Sequence, residues 1–168
     1  MKKLIKRREI PAGNPVSDNA LLDRLYRSRH IKNSQELDRT LQSMLNPNQL
    51  HGIQQAVDLL VDAYQQQQKI VIVGDFDADG ATSTALSVLA LRMLGFTDVE
   101  YLVPNRFEQG YGLSVPVAEM AMEKGVQLLM TVDNGVSSFE GVAYLKEQGV
   151  KVLITDHDLP PEILPNAD

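Results

Sequence analysis

The sequence predicts an α/β fold in which a parallel sheet carries helices on both faces, preceded by an N-terminal helical segment. After Lys69, four short apolar runs alternate with longer segments of helical periodicity. The apolar runs are nearly continuous, which is typical of strands that are covered on both faces of a sheet. We therefore expect a helical lead-in at residues 1–68 and an α/β domain at residues 69–168, with strand order 2-1-3-4.

Helical periodicity covers the N-terminal segment. Apolar residues recur at three- and four-residue intervals in SDNALLDRLYRSRH, NSQELDRTLQSML and LHGIQQAVDLLVDAYQQQQ. Ser17 or Asp18 is the expected N-cap of the first stretch. The turn residues Asn46, Pro47 and Asn48 separate the second stretch from the third. The pattern predicts three helices before the first strand.

Strands and helices alternate in the second part of the chain. The four predicted strands are KIVIVG, DVEYLVP, VQLLMTVD and KVLITD. The three helices between them are ATSTALSVLALRMLG, SVPVAEMAMEKG and SSFEGVAYLKEQG. Gly95 and Gly149 close two of these helices, where a left-handed residue is expected.

The composition excludes several classes of protein. The 168 residues include no cysteine, which rules out disulfides, thiolate nucleophiles and cysteine-ligated zinc. No secretory signal and no apolar run long enough to span a bilayer is recognisable, so we expect a cytoplasmic protein. The net charge of −6, taken alone, argues against binding of nucleic acid, because phosphate contacts usually need a basic face.

Polar side chains collect at the carboxyl ends of the predicted strands. Open parallel sheets bind ligands there, at the point where the strand order reverses. With the order 2-1-3-4, the ends of strands one, three and four are neighbours about 5 Å apart. The residues expected to face this common volume are Asp77, Asp79, Asp133 and His157. With Asp75 included, four carboxylates and one imidazole predict a site for divalent metal that holds two ions.

The stretch GDFDADG places Asp75, Asp77 and Asp79 at alternate positions. In an extended segment all three would point one way, while Phe76 and Ala78 would point into packing. Hard carboxylate oxygens with one imidazole suit Mn²⁺ or Mg²⁺ better than a metal that prefers thiolates. Helix capping is the alternative, because Asp79 directly precedes a predicted helix, where a negative charge is favourable. Capping accounts for one of the three aspartates.

Two loops favour a substrate that carries phosphate. PNRFEQGYGLS follows the second strand and combines Arg106 with Gly110 and Gly112, which places a cationic fork beside backbone that a ligand can approach closely. TVDNGVSSFE follows the third strand, where Ser137 and Glu140 predict a capping box. The amides of that helix start could bind an anion. An ordinary glycine-containing loop and simple helix capping are the respective alternatives.

Two other kinds of protein share part of the aspartate motif. DFDADG matches the opening of an EF-hand, but position twelve of that loop would be Leu86 and a strand precedes the motif, so this interpretation fails. DADGAT is similar to the opening of haloacid-dehalogenase phosphatases, in which Asp77 would be the nucleophile and Asp79 the acid or base. That alternative stays open, although it leaves Asp75 and Asp133 without a role.

Four ordered motifs together resemble those of the DHH phosphoesterase superfamily. They are VGDFDADGATS, VPNRFEQGYGLS, MTVDNGVSS and ITDHDLP, and the similarity extends from the neighbourhood of Ala20 to Asp168. The resemblance implies a phosphodiesterase that uses two ions of Mn²⁺ or Mg²⁺. The metal ligands that it implies are Asp77, Asp79, Asp133 and His157.

The resemblance also implies a substrate and roles for neighbouring residues. Within the superfamily, the motifs are most similar to those of bacterial exonucleases that degrade single-stranded DNA from 5′ to 3′ in recombination and repair. Single-stranded DNA, a single-strand-binding protein and a helicase are the implied partners. Asp75 is implied as a supporting catalytic residue. The implied substrate-facing residues are Asn105, Arg106, Gly110 and Asp158.

Two features depart from the family pattern. Asp158 stands where the family's second histidine is expected to face the scissile phosphate, and a carboxylate there would repel that phosphate. The sequence also stops at Asp168, before a further metal-ligand aspartate and a second domain of the family. We therefore expect a fragment, or a truncated relative, that is inactive alone. A non-catalytic DHH relative is the alternative from a different functional class.

Overall fold

The computed structural model describes Leu4, Lys6 and residues 9–168 of the chain. The remaining residues of the predicted lead-in lie outside this description. The chain divides into two compact units, Met1–Leu50 and His51–Asp168. The predicted domain limit between residues 68 and 69 stays a prediction, and the last helix of the lead-in belongs to the second compact unit.

The first unit contains one α-helix, α1 (Ala20–Arg27), among the described residues. Asn19 caps it, because its side chain accepts hydrogen bonds from the N–H groups of Leu21 and Leu22. The expectation of Ser17 or Asp18 as the cap was therefore wrong by one or two residues.

The second predicted helix, over residues 33–45, is absent from the structure. Two short 3₁₀ turns, Ser34–Leu37 and Leu41–Ser43, occupy this stretch. Asp38 lies between them in an extended conformation, and its carboxylate accepts a hydrogen bond from the Thr40 N–H. Such local side-chain bonds offer the backbone an alternative to the helix, so the apolar periodicity misled the prediction.

The second unit is built on a sheet of four parallel strands. The strands are β1 (Ile70–Val73), β2 (Val99–Leu102), β3 (Leu128–Val132) and β4 (Lys151–Thr155). They lie in the order β2-β1-β3-β4, which confirms the predicted topology. The helices are α2 (Ile53–Gln65), α3 (Ala78–Met93), α4 (Arg106–Gln109), α5 (Val115–Glu123) and α6 (Phe139–Glu147). In the part of the chain that the structure describes, no helix is long and apolar enough to cross a membrane.

Helices cover both faces of the sheet, because side chains of each strand alternate between two apolar cores. On one face, Ile70 and Ile72 of β1 pack in a cluster with Leu59 of α2 and Leu91 of α3. The cluster on the other face contains Val71 and Val73 of β1 with residues of α5 and α6, including Val117 and Leu145. Burial on both faces explains why the central strands β1 and β3 are apolar without alternation.

Glycine ends the helices that return to the sheet. Gly95 and Gly149 have positive φ angles of 98° and 76°, as predicted for left-handed C-terminal residues. Phe96 N–H donates to Leu91 O, and Gly95 N–H donates to Arg92 O, which is the Schellman arrangement. Each helix therefore ends at a fixed residue, and the chain enters the following strand after a short turn.

The strand order fixes where a ligand can bind. The chain moves from β1 outward to β2, and then returns past β1 to β3. The carboxyl ends of β1 and β3 therefore flank the point at which the order reverses, and loops on either side of this point leave a crevice.

Candidate functional site

Asp133 and His157 meet directly at the carboxyl ends of β3 and β4. The two strands pair as far as Val132 with Thr155, and the Asp133 N–H donates to Thr155 O at 3.1 Å. His157 Nε2 lies 2.7 Å from Asp133 Oδ1. Only 9% of the Asp133 side chain is exposed, whereas the His157 side chain is 73% exposed. The structure thus places these two predicted site residues side by side, and their role in one metal site stays a prediction.

The pKa values of the pair reflect a crowded acidic site. Burial raises the pKa of the Asp133 carboxyl, and the charges of Asp77 and Asp79 raise it further, while His157 acts in the opposite direction. The hydrogen bond to Asp133 raises the pKa of His157. The carboxylates at the start of α3 and the imidazole after β4 thus all lie close enough to Asp133 to act on its pKa.

Asp77 and Asp79 belong to the start of α3. The helix begins at Ala78, and Asp77 is its N-cap, because its Oδ1 accepts from the Gly80 N–H at 2.9 Å. Asp79 lies in the first turn. The capping aspartate is therefore Asp77 rather than Asp79, and the motif does not stay extended as far as Asp79.

Phe76 is also placed differently from the prediction. It was expected to point into packing, but it is 52% exposed. The helix start changes the direction of the chain at this point, so the alternation that holds along a strand no longer applies. The aromatic ring therefore lies on the surface beside the aspartates.

Asp75 faces a different group from the other two aspartates. It is buried, and its Oδ2 accepts a hydrogen bond from Arg106 Nη2 at 3.3 Å. The guanidinium carbon of Arg106 lies 4.0 Å from the ring centroid of Phe76 and 5.0 Å from that of Tyr111. The loop after β2 thus supplies a cation that the sequence around Asp75 does not contain.

The other predicted substrate-facing residues shape the loops. Asn105 caps the short helix α4, since its side chain accepts from the Phe107 N–H. Gly110 ends α4 with a φ of 83°, a conformation that favours glycine. Asp158 is exposed, and its N–H donates to Asp156 Oδ1. These contacts are structural, and they leave the substrate roles of the three residues as predictions.

Two residues outside the predicted set of site residues fix the loops of the crevice. Asn134 is fully buried, and its Nδ2 donates to the carbonyl groups of Val73 and Val132, which joins the ends of β1 and β3. Asp156 Oδ2 accepts from the Val136 N–H and so ties the end of β4 to the loop after β3. Their position after apolar runs was visible in the sequence, but their partners were not.

The predicted capping box at Ser137 and Glu140 is not formed. The helix α6 begins at Phe139, with Ser138 as its N-cap and without a side-chain capping hydrogen bond. Ser138 Oγ instead accepts from the Leu113 N–H at 3.2 Å. The serine therefore connects α6 to the loop before α5, which explains the displaced cap.

Three of the predicted metal ligands line one open cleft of about 540 Å³, namely Asp79, Asp133 and His157. Their oxygen and imidazole donors fit Mn²⁺ or Mg²⁺ by chemistry. Within Leu4, Lys6 and residues 9–168, however, no group of three or more histidines and carboxylates is already arranged around one ion. The Asp133–His157 hydrogen bond occupies donor atoms that an ion would need, so metal binding requires these side chains to separate.

The family model described as "DHH family, N-terminal domain" matches residues 69–168. The chain belongs to the DHH family. This match covers the complete sheet and every helix of the second unit except α2. The predicted family membership and fold class are therefore confirmed, and the haloacid-dehalogenase alternative is not retained.

Two relatives of high identity to this DHH chain carry the same name. "Single-stranded-DNA-specific exonuclease RecJ" of Haemophilus influenzae is 83% identical over 168 residues, which are 100% of the chain and 29% of the relative. The protein of the same name from Escherichia coli is 51% identical over 166 residues, which are 98% of the chain and 29% of that relative. The DHH chain thus spans less than a third of the length of these relatives.

Solved structures with the same fold include two RecJ structures that contain manganese. An exonuclease RecJ bound to manganese matches with a TM-score of 0.67 and 37% identity, over 74% of the chain and 32% of the other protein. RecJ of Thermus thermophilus in complex with Mn²⁺ matches with a TM-score of 0.62 and 33% identity, over 84% of the chain and 19% of the other protein. The DHH fold assigned from the sheet order agrees with both.

Proposed function

We propose that this chain is the N-terminal part of a metal-dependent phosphodiesterase of RecJ type, which degrades single-stranded DNA from 5′ to 3′ in recombination and repair. The names of the highly identical relatives support this substrate. The manganese in the two matching RecJ structures supports a divalent metal cofactor, Mn²⁺ or Mg²⁺. The proposal concerns the whole protein, because the chain spans 29% of the length of those relatives.

The direct contact between Asp133 and His157 carries the metal part of the proposal. The two side chains follow neighbouring strands, and the charges of Asp77 and Asp79 act on Asp133. We assign these four residues as the ligands of a two-ion site. When bound, the ions would activate a water molecule and stabilise the leaving oxygen of the phosphodiester.

The loop after β2 serves the substrate in this proposal. Arg106 is the cation beside the acidic crevice, and 47% of its side chain is exposed. A guanidinium presents its N–H groups in a planar fork that matches a phosphate. Gly110 and Asn105 shape the backbone around it, so we assign the loop to binding of the DNA backbone.

A titration with Mn²⁺ tests the metal site. We expect calorimetry to show binding by the parent chain, and Asp77→Asn or Asp133→Asn to weaken that binding by tenfold or more, since each removes an anionic ligand (an effect on the order of 1.4 kcal/mol or above). Asp98→Asn is the matched control, because Asp98 precedes β2 at the opposite end of the sheet and pairs with Lys69. Equal Mn²⁺ affinity in all four proteins would contradict the assignment.

The nuclease activity is tested in a protein that carries this chain at the length of its relatives. With 5′-phosphorylated single-stranded DNA and Mn²⁺, we expect progressive release of nucleotides that Asp133→Asn abolishes and Asp98→Asn preserves. Hydrolysis that survives Asp133→Asn would exclude the proposed centre. A protein that binds Mn²⁺ but leaves DNA intact would support the non-catalytic alternative.

A single-strand-binding protein and a helicase complete the proposal as partners, together with a cytoplasmic location. They follow from the family resemblance alone. Co-purification of the full-length protein with either partner on single-stranded DNA would test them.

A further inference from the structure

Three groups surround the guanidinium of Arg106. Asp75 accepts a hydrogen bond from Nη2 on one edge, and the rings of Phe76 and Tyr111 lie 4.0 Å and 5.0 Å from the guanidinium carbon. Aromatic rings at these distances attract the cation and restrict the orientation of its plane. The guanidinium is therefore held by contacts in two different directions.

Asp75 is itself held in place. Its side chain is only 8% exposed, and its Oδ1 accepts from the Phe76 N–H at 2.8 Å. The first turn of α3 lies against its backbone, since a Cβ at Gly80 would come within 2.4 Å of Asp75 O. The carboxylate is a rigid anchor for a longer and more flexible partner.

The aspartates of the motif have different hydrogen-bond partners. Asp77 Oδ1 accepts from the Gly80 N–H at the start of α3, whereas Asp75 Oδ2 accepts from Arg106 Nη2. The carboxylate of Asp133 pairs with His157. Asp75 therefore belongs with Arg106 rather than with the expected metal ligands.

We propose that Asp75 is a positioning residue that acts through Arg106, and that it neither binds metal nor takes part in the chemistry. The proposal rests on the proposed function in one respect, namely that Arg106 contacts a phosphate of the substrate. Asp75 engages one edge of the guanidinium and leaves its other N–H groups available, since Arg106 makes no second ion pair among residues 9–168. Fixing a flexible arginine before the ligand arrives reduces the entropy that is lost on binding.

The direction in which Asp75→Asn changes the affinity for DNA distinguishes a positioning role from a purely electrostatic one. Asp75→Asn removes a negative charge from a crevice that binds a polyanion, so electrostatics alone predicts tighter binding. Positioning predicts weaker binding, because the neutral amide no longer fixes the guanidinium. With Arg106→Gln in the same chain, Asp75→Asn should cause no further loss, because both changes remove the same interaction.

The test measures the affinity of a single-stranded oligothymidylate for a protein that carries this chain at the length of its relatives, by fluorescence anisotropy, with Mn²⁺ titrated separately by calorimetry. We expect Asp75→Asn and Arg106→Gln each to weaken oligonucleotide binding about tenfold, the double variant to match Arg106→Gln, and Mn²⁺ affinity to remain at the parental value. Asp98→Asn is the control for loss of an ion-paired carboxylate. Weaker Mn²⁺ binding by Asp75→Asn, or tighter oligonucleotide binding, would overturn the proposal.

A second measurement does not depend on DNA. In ¹⁵N spectra of the parent chain, the Arg106 guanidinium should show slowed rotation and exchange, and Asp75→Asn should abolish this while Asp98→Asn does not. An unchanged Arg106 signal in Asp75→Asn would refute positioning. If the parent binds no oligonucleotide, the substrate assignment fails, whereas the spectra and the Mn²⁺ titration still decide the role of Asp75.

If Asp75→Asn prevents folding, Arg106→Lys is the variant to test instead. The Arg106 side chain is about half exposed, so we expect this variant to fold. Lysine keeps the charge but lacks the planar fork. We expect Arg106→Lys to lose as much affinity for the oligothymidylate as Arg106→Gln. Full retention of that affinity would show that the orientation of the guanidinium is irrelevant.

Discussion

At the scale of single residues, Asp133 has the most constrained backbone of the site. Its φ of 61° places it in the left-handed region, which is uncommon for residues other than glycine, although aspartate tolerates it better than most. This turn of the backbone directs the carboxylate toward His157 immediately after β3 ends. Strained residues of this kind cluster at functional sites, which agrees with the role assigned to Asp133.

Asp158 is the residue whose replacement should increase activity. Burial raises the pKa of Tyr111, and the charge of Asp158 raises it further, so the electrostatic effect of Asp158 extends to this residue of the loop after β2. In the proposed enzyme this carboxylate would repel the substrate phosphate. We expect Asp158→His to raise the rate of hydrolysis of single-stranded DNA severalfold in a protein of the relatives' length, measured as nucleotide release.

Asp158→Asn is the matched control for that experiment, because it removes the charge without adding an imidazole. Faster hydrolysis by both variants would show that the effect comes from removal of the repulsion. Faster hydrolysis by Asp158→His alone would assign the effect to the imidazole ring. No gain in either variant would show that position 158 has another role.

The residues that could be predicted from the sequence are those whose position depends on the strand order. Asp133 and His157 follow adjacent strands, so knowledge of the topology was enough to bring them together. The pairing of Asp75 with Arg106 was beyond prediction, because the two lie 31 positions apart and the segment after β2 that carries Arg106 follows no periodic rule. Only the three-dimensional path of that segment reveals the ion pair.

At the scale of elements, the start of α3 determines where two of the aspartates lie. Gly74 and Gly80 allow the helix to approach the end of β1 closely, since a Cβ at Gly74 would come within 2.0 Å of Thr84 Oγ1. A Cβ at Gly80 would come within 2.4 Å of Asp75 O. The two glycines thus set the distance between the helix and the strand.

Gly80→Ala should therefore destabilise the fold and disturb the site together. The added methyl meets backbone atoms that cannot move aside, so we expect a loss of about 2–3 kcal/mol in the free energy of unfolding. Mn²⁺ affinity should fall as well, because Asp77 and Asp79 move with the helix. Urea denaturation and calorimetry provide the two measurements.

Gly149→Ala is the control for that prediction. It adds the same methyl where nothing lies within 4 Å, at a φ of 76°. We expect a cost of about 1–2 kcal/mol from the left-handed backbone and unchanged Mn²⁺ affinity. Normal Mn²⁺ binding by a folded Gly80→Ala protein would contradict the account of α3.

Elements were predictable where the pattern and the tertiary context agreed. The four strands and the helices α3, α5 and α6 have the predicted periodicity and also pack in the sheet or against one of its faces. The 33–45 stretch has helical periodicity but uses capping side chains such as Asn33 and Asp38 for local hydrogen bonds. Its apolar residues Leu41 and Met44 remain exposed, so packing does not compensate for the competing turns.

At the scale of the whole second unit, opposite ends of the sheet differ in charge. The carboxyl ends carry the acidic crevice. At the amino ends, Glu100 accepts from both Lys69 and Lys124, at 2.5 Å and 2.8 Å. These two lysines lower the pKa of Glu100 to about 2, chiefly through their hydrogen bonds. The unit thus places an ion-pair cluster at one end and, at the other, a crevice in which Asp77 and Asp79 have no ion pair among the described residues.

This ion-pair cluster should make stability depend on pH. The pKa of Glu100 is lower in the folded chain than its ordinary value of 4.5, so its contribution to stability is present above pH 4.5 and is lost as the pH falls toward about 2. We expect Glu100→Gln to destabilise the chain at pH 7 and to have little effect near pH 2. Thermal unfolding across this range measures the difference.

Glu119→Gln is the control, because Glu119 is exposed on α5 and has no ion pair within the described chain. Its effect on the unfolding temperature should be small at every pH. A pH-independent difference between Glu100→Gln and the parent would show that the cluster stabilises by packing rather than by charge.

The glycine-closed ends of α3, α5 and α6 also restrict how this fold can change in evolution. The same pair of backbone hydrogen bonds closes each helix, at Gly95, Gly125 and Gly149, and an apolar residue follows directly into the core. An insertion at any of these three turns would shift the register of the next strand against its neighbour. The loop after β2 has no such helix-closing pair of bonds, so lineages can lengthen or replace it without rebuilding the sheet. New specificities in this architecture should therefore arise by changes in the segment after β2, while the three returning turns keep their length.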